Sequence, residues 1–498
     1  MYKTDDVNVA VDIFTKKISQ ILDRMAPVKV FQNRRKYVPW LSQETKSLMT
    51  FRDNLLAQAQ TSGCKEGWKR FKEVRNRVTS KLRTDKEAWE RKSLNECGNN
   101  SAKLWKNILG WLNWSNSGAP TKLFANGKLE SSPKMLANIM NNYYVDKIQK
   151  IQNSLPTSNQ DPLQKLKARM ENSQVIFSVL PVHPDLIDEI LSNLKNSKSC
   201  GIDSIDTYVL KLIKPCIIPA VTHIVNLSIQ SATFPEKWKF SKIVPLYKKD
   251  DPLNAKNYRP VALIPILSKV LERAIFIQMI QFLETNNLFH PSHHGYRPGH
   301  STCTALIELY DSWVEALERG ELSGVMLIDL SAAFDCVDHP LLLEKMKVIG
   351  FDDHCIKWCH SYLTNRHQSV HIDGAESDFL RINVGVPQGS ILGPLFYIIY
   401  TNDLPEVVHM EHCELNQIGL QKFNTMCFQC GGLVAFADDS TITVTDSDPD
   451  RLSRKLTEKY LDVSNYFTAN KLKVNDDKTH LVVMTSSKNG NLPILKFS

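Results

Sequence analysis

Three acidic residues are placed where the chain has no structural need of them. The run Val325, Met326, Leu327, Ile328 has the composition of a fully buried strand, and it delivers Asp329 at its end. A second apolar run, Leu433 to Ala437, ends in Asp438-Asp439 and is followed at once by the β-rich Ser440 to Thr445, which predicts a tight hairpin turn carrying both acids. Gathered without cations, three carboxylates repel and their pKa values rise. With two divalent ions about 3.5–4 Å apart they form a site for in-line phosphoryl transfer. One ion lowers the pKa of the attacking hydroxyl, and the other neutralises charge on the departing pyrophosphate. Oxygen-only donors suit Mg²⁺, with Mn²⁺ as a substitute.

A second cluster of donor side chains lies just before that hairpin. The segment HMEHCELNQIGLQKFNTMCFQCGG is rich in Cys and His. Cys413, with Cys427 and Cys430 spaced as C-x-x-C and His412 or His409 as the fourth group, predicts a tetrahedral Cys₃His site for one structural Zn²⁺.

The elements that position these residues follow from pattern and composition. Residues 1–150 read as helical and basic: Trp68, Phe71, Val74, Val78 and Leu82 recur at spacings of three and four as one apolar stripe. Lys69, Arg70, Lys72, Arg75, Arg77, Lys81 and Arg83 occupy the other faces. Residues 29–106 hold 19 Lys and Arg against 8 Asp and Glu, an excess larger than the whole-chain net charge of +8, so the positive charge is local. Lys69, Arg70, Lys72, Arg75 and Arg77 are the expected footprint for a phosphate backbone. The polar stretch 151–174, with Pro156 and Pro162, reads as a linker. After it, helices alternate with short strands, including 325–329, 368–373, 379–386 and the pair around Asp438.

At 498 residues, two or three domains are expected, and an apolar content of 42% with 23% charged residues is that of an ordinary globular protein. The longest apolar runs, 391–400 and 264–280, are too short or too interrupted by charge to span a bilayer, so no membrane role is expected. The N-terminal MYKTDDVNVAVDIF lacks the basic and apolar regions of a secretory signal, which predicts synthesis in the cytosol. Eleven cysteines scattered over such a chain are expected as reduced thiols or metal ligands.

Read in order, SCGIDSI (199–205), VPLYKKDDPLNAKNYRPVALIPILSKVLER (244–273), HGYRPGHSTCTAL (294–306), IDLSAAFDCVDH (328–339), GVPQGSILGPLF (385–396), FADDSTI (436–442) and ANKLKVNDDKT (469–479) resemble the successive motifs of reverse transcriptases. The upstream motifs resemble the LINE-type, non-LTR branch that includes the jockey-like elements. The resemblance covers roughly residues 175–490. More loosely, APVK (26–29), VPW (38–40), VRN (74–76) and LFANGKL (123–129) resemble the segment joining endonuclease to polymerase in those elements.

The resemblance implies an α+β right-hand polymerase, with an antiparallel sheet and flanking helices. Its fingers would be 175–320 and its palm 321–498, with the Cys/His-rich insertion at 405–432, preceded by the basic helical region. The thumb is expected to be truncated. It implies RNA-directed DNA polymerase activity on an RNA template, a DNA primer and dNTPs, dependent on two Mg²⁺ ions. By position, Asp329, Asp438 and the Leu330 carbonyl would hold metal, and Asp439 would be a supporting acid. Phe334 would be the steric gate against a ribose 2′-hydroxyl, and Gln388 and Gly389 would line the nucleotide pocket. Lys248, Arg259 and Arg297 would face the triphosphate, Lys478 would stand near the departing pyrophosphate, and Asp335 would hydrogen-bond within the palm. A cytoplasmic and nuclear ribonucleoprotein is the expected location, and the oligomeric state is left open. The rival reading is an inactive nucleic-acid-binding remnant. An RNA-dependent RNA polymerase of viral type ranks below it, because Ala437 stands where those enzymes carry Gly and Phe334 where they avoid bulk.

Overall fold

The computed structural model describes residues 1–27, 38–98, 100–111, 118–125, 127–408 and 432–485. The chain forms two compact units, one of residues 22–118 and the other of residues 1–21 with the remainder. The division therefore falls at Gly118–Ala119 rather than near 150.

In the smaller unit, the long helix Lys65–Asn95 pairs with Gln43–Ser62. From Phe71 onward the expected stripe is its packed face, with Val78 buried and Phe71, Val74 and Leu82 half-buried, whereas Trp68 at its start is exposed. Lys69, Arg70, Lys72, Arg75 and Arg77 are all exposed on the same helix.

The larger unit is mixed α/β. Its strands are β1 (Leu123–Ala125), β2 (Lys128–Glu130), β3 (Phe240–Tyr247), β4 (Tyr258–Leu263), β5 (Leu322–Ile328), β6 (Arg366–Ile372), β7 (Ala375–Glu376), β8 (Leu380–Ile382), β9 (Gly432–Phe436), β10 (Asp439–Asp446) and β11 (His480–Met484). A four-stranded sheet runs in the order β11-β5-β10-β9, antiparallel throughout. A second sheet runs β4-β3-β6-β7 with β8 also on β6, and its β3–β6 pair is parallel. Helices Thr302–Glu318 and Pro449–Ala469 pack against the four-stranded sheet. The second approaches so closely that a Cβ at Gly324 would lie 2.5 Å from Leu456 Cδ1. Across the strand, Leu327 stays 41% exposed, and with a period of two Asp329 follows it onto that open face.

Two sequence expectations change in the folded chain. Residues 151–174 are not simply a linker, because helix Gln164–Met170 buries Leu166 and Met170, and Arg169 donates to the Asn402 and Leu288 carbonyls and to Glu406. The strand expected over 379–386 is reduced to β8, since Gly385 takes φ +82° against the Asp335 carbonyl, where a Cβ would come within 2.5 Å. The eight cysteines among the described residues are free thiols. None of the described helices is long and apolar enough to cross a membrane.

Candidate active site

The acidic cluster is built by strand pairing. Ser440 of β10 lies opposite Ile328 of β5, so one step further along the antiparallel register Asp439 faces Asp329. Asp439 pairs with Phe436 across the hairpin, which leaves Ala437 and Asp438 as its two-residue loop. Ala437 takes φ +57°, an unfavourable value for a residue with a Cβ. Its surroundings hold it there. Gly295 packs so tightly that a Cβ on it would lie 2.3 Å from the Ala437 nitrogen. The Ala435 N–H donates to Ser292, and the His294 N–H donates to Ala435. Burial, and then the charges of Asp438 and Asp329, raise the Asp439 carboxyl against the opposing pull of Lys478.

Asp329 is held from the chain that follows Pro449–Ala469. The Asn475 N–H donates to the Asp329 carbonyl and the Ser331 N–H to the Lys473 carbonyl, both at 2.9 Å, and the Leu330 carbonyl is used in neither bond. Asn475 Nδ2 and Lys478 Nζ each lie 2.8 Å from Asp329 Oδ2. Among the described residues no three Asp, Glu, His or Cys side chains are grouped so as to hold a metal ion. Asp329 is turned instead to Lys478 and Asn475, and Lys478 supplies a positive charge beside the acids. Hard carboxylate oxygens are nevertheless the donor set a hard divalent cation selects.

Cations converge from the second sheet. Arg259 of β4 pairs with Leu246 of β3, and the Lys248 N–H donates to the Asn257 carbonyl at 2.8 Å. Desolvation and the positive charges of Arg259, Lys478 and Lys249 depress the Lys248 ammonium pKa, with Asp329 opposing them. Lys248, Arg259 and Lys478 therefore share one electrostatic neighbourhood with Asp329.

Arg297 does not join them. Its side chain is only 8% exposed, and it makes a two-pronged pair with Glu284 at 2.9 and 3.0 Å. It also donates to the His290 and His293 carbonyls and stacks over Phe289. Those contacts use four of its five N–H groups, so a triphosphate contact for Arg297 is set aside.

The remaining nucleotide-pocket candidates lie on two segments tied together, with the Val386 N–H donating to the Phe334 carbonyl at 2.9 Å. Phe334 is half-buried, with its ring 4.6 Å from Tyr397 and 6.3 Å from Tyr296. Gln388 Nε2 donates to both Asp335 oxygens at 2.8 Å, and burial outweighs that bond to raise Asp335 to about 6. Gly389 takes φ +108°, where a Cβ would meet the Ala262 carbonyl at 2.8 Å, so only glycine lets this loop lie on β4.

Sequence reasoning missed several contributors. Glu272, fully buried, accepts from the Ile391 and Leu392 N–H groups at 2.7 and 3.3 Å and from the Tyr362 hydroxyl. It thus holds the N-terminus of helix Leu392–Thr401, just after the Gln388 loop. A lone acid in the apolar run 264–280 was the available signal. Helix Pro133–Asn153 brings Tyr143, Lys147 and Lys150 to a cleft of about 500 Å³ shared with Leu330, Ser331, Asn475 and Lys478. No pattern in its sequence announces that role. Tyr296 lies beside Phe334, and burial together with Asp438 raises its phenol pKa. The zinc candidates His409, His412, Cys413, Cys427 and Cys430 fall outside the described residues.

Residues 246–492 match the family model for reverse transcriptase (RNA-dependent DNA polymerase). A probable RNA-directed DNA polymerase from transposon BS of Drosophila melanogaster is 28% identical over 414 residues, 80% of this chain and 44% of that protein. The RNA-directed DNA polymerase from mobile element jockey of Drosophila funebris is 33% identical over 47% of this chain and 25% of its own length. Its Drosophila melanogaster counterpart is 27% identical over 63% and 33%. The chain thus spans less than half the length of these curated relatives. With the motif order, the paired acids and these matches on one stretch of sequence, residues 246–492 belong to the reverse transcriptases, with their similarity on the non-LTR, jockey-like side of that family.

Proposed function

We propose that this chain is the RNA-directed DNA polymerase portion of a non-LTR mobile element, adding deoxynucleotides to a DNA primer on an RNA template. The observation that carries the reading is the β5–β10 register, which sets Asp439 across from Asp329 with Asp438 on the adjoining loop. The four-stranded sheet is then the palm and the β3–β4 sheet part of the fingers.

Asp329, Asp438 and the Leu330 carbonyl would hold Mg²⁺, which when bound would lower the pKa of the primer hydroxyl and balance charge on the pyrophosphate. The protein's own groups do the positioning. Lys248 and Arg259 balance the triphosphate charge, and Lys478 exchanges its ion pair with Asp329 for the leaving phosphates. Gln388, fixed by Asp335, and Gly389 form the floor of the nucleotide pocket, and the Phe334 ring blocks a 2′-hydroxyl. The exposed cations of Lys65–Asn95 bind template RNA. A structural Zn²⁺ on Cys413, Cys427, Cys430 and His412 or His409 belongs to the same proposal on spacing alone. Primer extension on an RNA template with Mg²⁺, comparing deoxy- and ribonucleotides, tests the reading: only the former should be incorporated efficiently.

A further inference from the structure

Tyr296 occupies a backbone conformation that side chains rarely adopt. Its φ is +57°, a strain that persists only where the surroundings dictate it. They do so on both sides. The preceding His294 N–H is bound to the Ala435 carbonyl of β9, and its ring donates or accepts at Thr304 and Glu308 at 2.9 and 2.6 Å. The following Arg297 is fixed by Glu284 and two carbonyls. Gly295 between them is pressed against the Asp438 loop. A clamp of this kind leaves the intervening side chain little freedom. It is nonetheless not spent on the core, since Tyr296 is 51% exposed.

The ring meets Phe334 edge to face, with centroids 6.3 Å apart at 86°. The other neighbour of Phe334 is the fully buried Tyr397, at 4.6 Å. Phe334 is thus bracketed by one rigid ring behind and one strained, exposed ring in front. Edge-to-face pairs hold a defined geometry, so the exposed member sets how far Phe334 can yield when a bulkier sugar presses on it.

We propose that Tyr296 is a specificity-determining residue: it buttresses Phe334, and together they form the wall that separates deoxyribonucleotides from ribonucleotides. The inference rests on the polymerase reading. It assigns the work to the ring rather than to the hydroxyl, which predicts different fates for substitutions that keep the ring and those that remove it. Tyr296→Phe keeps the edge contact and keeps discrimination. Tyr296→Ala removes it and loosens the gate. Tyr296→Gly removes it too and relieves the backbone strain, so this variant separates loss of the ring from loss of the fold.

The experiment measures kcat/KM for one deoxy- and the matching ribonucleotide by single-nucleotide extension on a primer–template. It is paired with equilibrium competition of each nucleotide against a base-labelled dNTP in Mg²⁺. The deoxy/ribo ratio is expected to fall about tenfold in Tyr296→Ala and Tyr296→Gly, through a rise in ribonucleotide kcat/KM, and to hold in Tyr296→Phe. A merely structural role would lower both nucleotides alike. An unchanged ratio, or equal losses for both nucleotides, overturns the inference while leaving the polymerase reading standing. Wild-type protein that neither extends nor binds a nucleotide overturns both.

Discussion

Lys478 Nζ lies 2.8 Å from Asp329 Oδ2, joining the turn before β11 to the acid at the end of β5. The pair is partly open to solvent, with side-chain exposures of 55% and 29%, so its net contribution to folding is about 0–1 kcal/mol. In the proposed mechanism its value lies in placing a cation where phosphate charge would depart. Lys478→Ala should leave thermal unfolding within about 1 kcal/mol of wild type while lowering the extension rate about tenfold or more. Equal rates for variant and wild type would remove Lys478 from the mechanism.

Arg297 carries the opposite expectation. Because its guanidinium is enclosed, Arg297→Ala strands Glu284 and two carbonyls and should cost about 3 kcal/mol of stability. Arg297→Lys should recover little of it, since an ammonium cannot reproduce the two-pronged geometry. Chemical denaturation reads this directly. A stable Arg297→Ala protein with a raised dNTP KM would instead restore the triphosphate role expected from the motif.

The acids were legible in sequence because the signal is local: a buried strand that ends in a carboxylate, twice, with a β-rich run directly after the second. The apolar stripe from Phe71 to Leu82 was legible for the same reason. What sequence did not yield depends on partners far along the chain. Glu272 looked like an interruption of an apolar helix until Ile391 and Leu392 came to its carboxylate. Arg297 looked like a free cation until Glu284 closed on it. The stretch 151–174 was misread as a linker because Leu166 and Met170 are too few apolar residues to outweigh their polar neighbours in composition, yet both are buried.

Asp335 gives a pH test. Its folded pKa, about 6, stands above the ordinary 3.8, so between those values the folded state holds more protons than the unfolded one. Its contribution to stability is therefore greatest at low pH and is lost as pH rises from about 4 to about 6. Asp335→Asn should flatten that part of the melting-temperature profile. A variant whose profile parallels wild type through this window would show that the carboxyl titrates normally.

The basic helix is testable through salt. Reversing charge at Lys69, Arg70 and Arg75 should weaken RNA binding and reduce the log–log salt slope by about 0.7–0.9 per lost phosphate contact, with nucleotide affinity unaltered. An unchanged slope would make these exposed cations a solvated face and nothing more.

The central claim is that Asp329 and Asp438 together carry polymerisation. Single-turnover extension of a DNA primer on RNA, in Mg²⁺, should fall about a thousandfold or more in Asp329→Asn and in Asp438→Asn, with each variant melting near wild type. Near-normal extension by either variant would contradict the account.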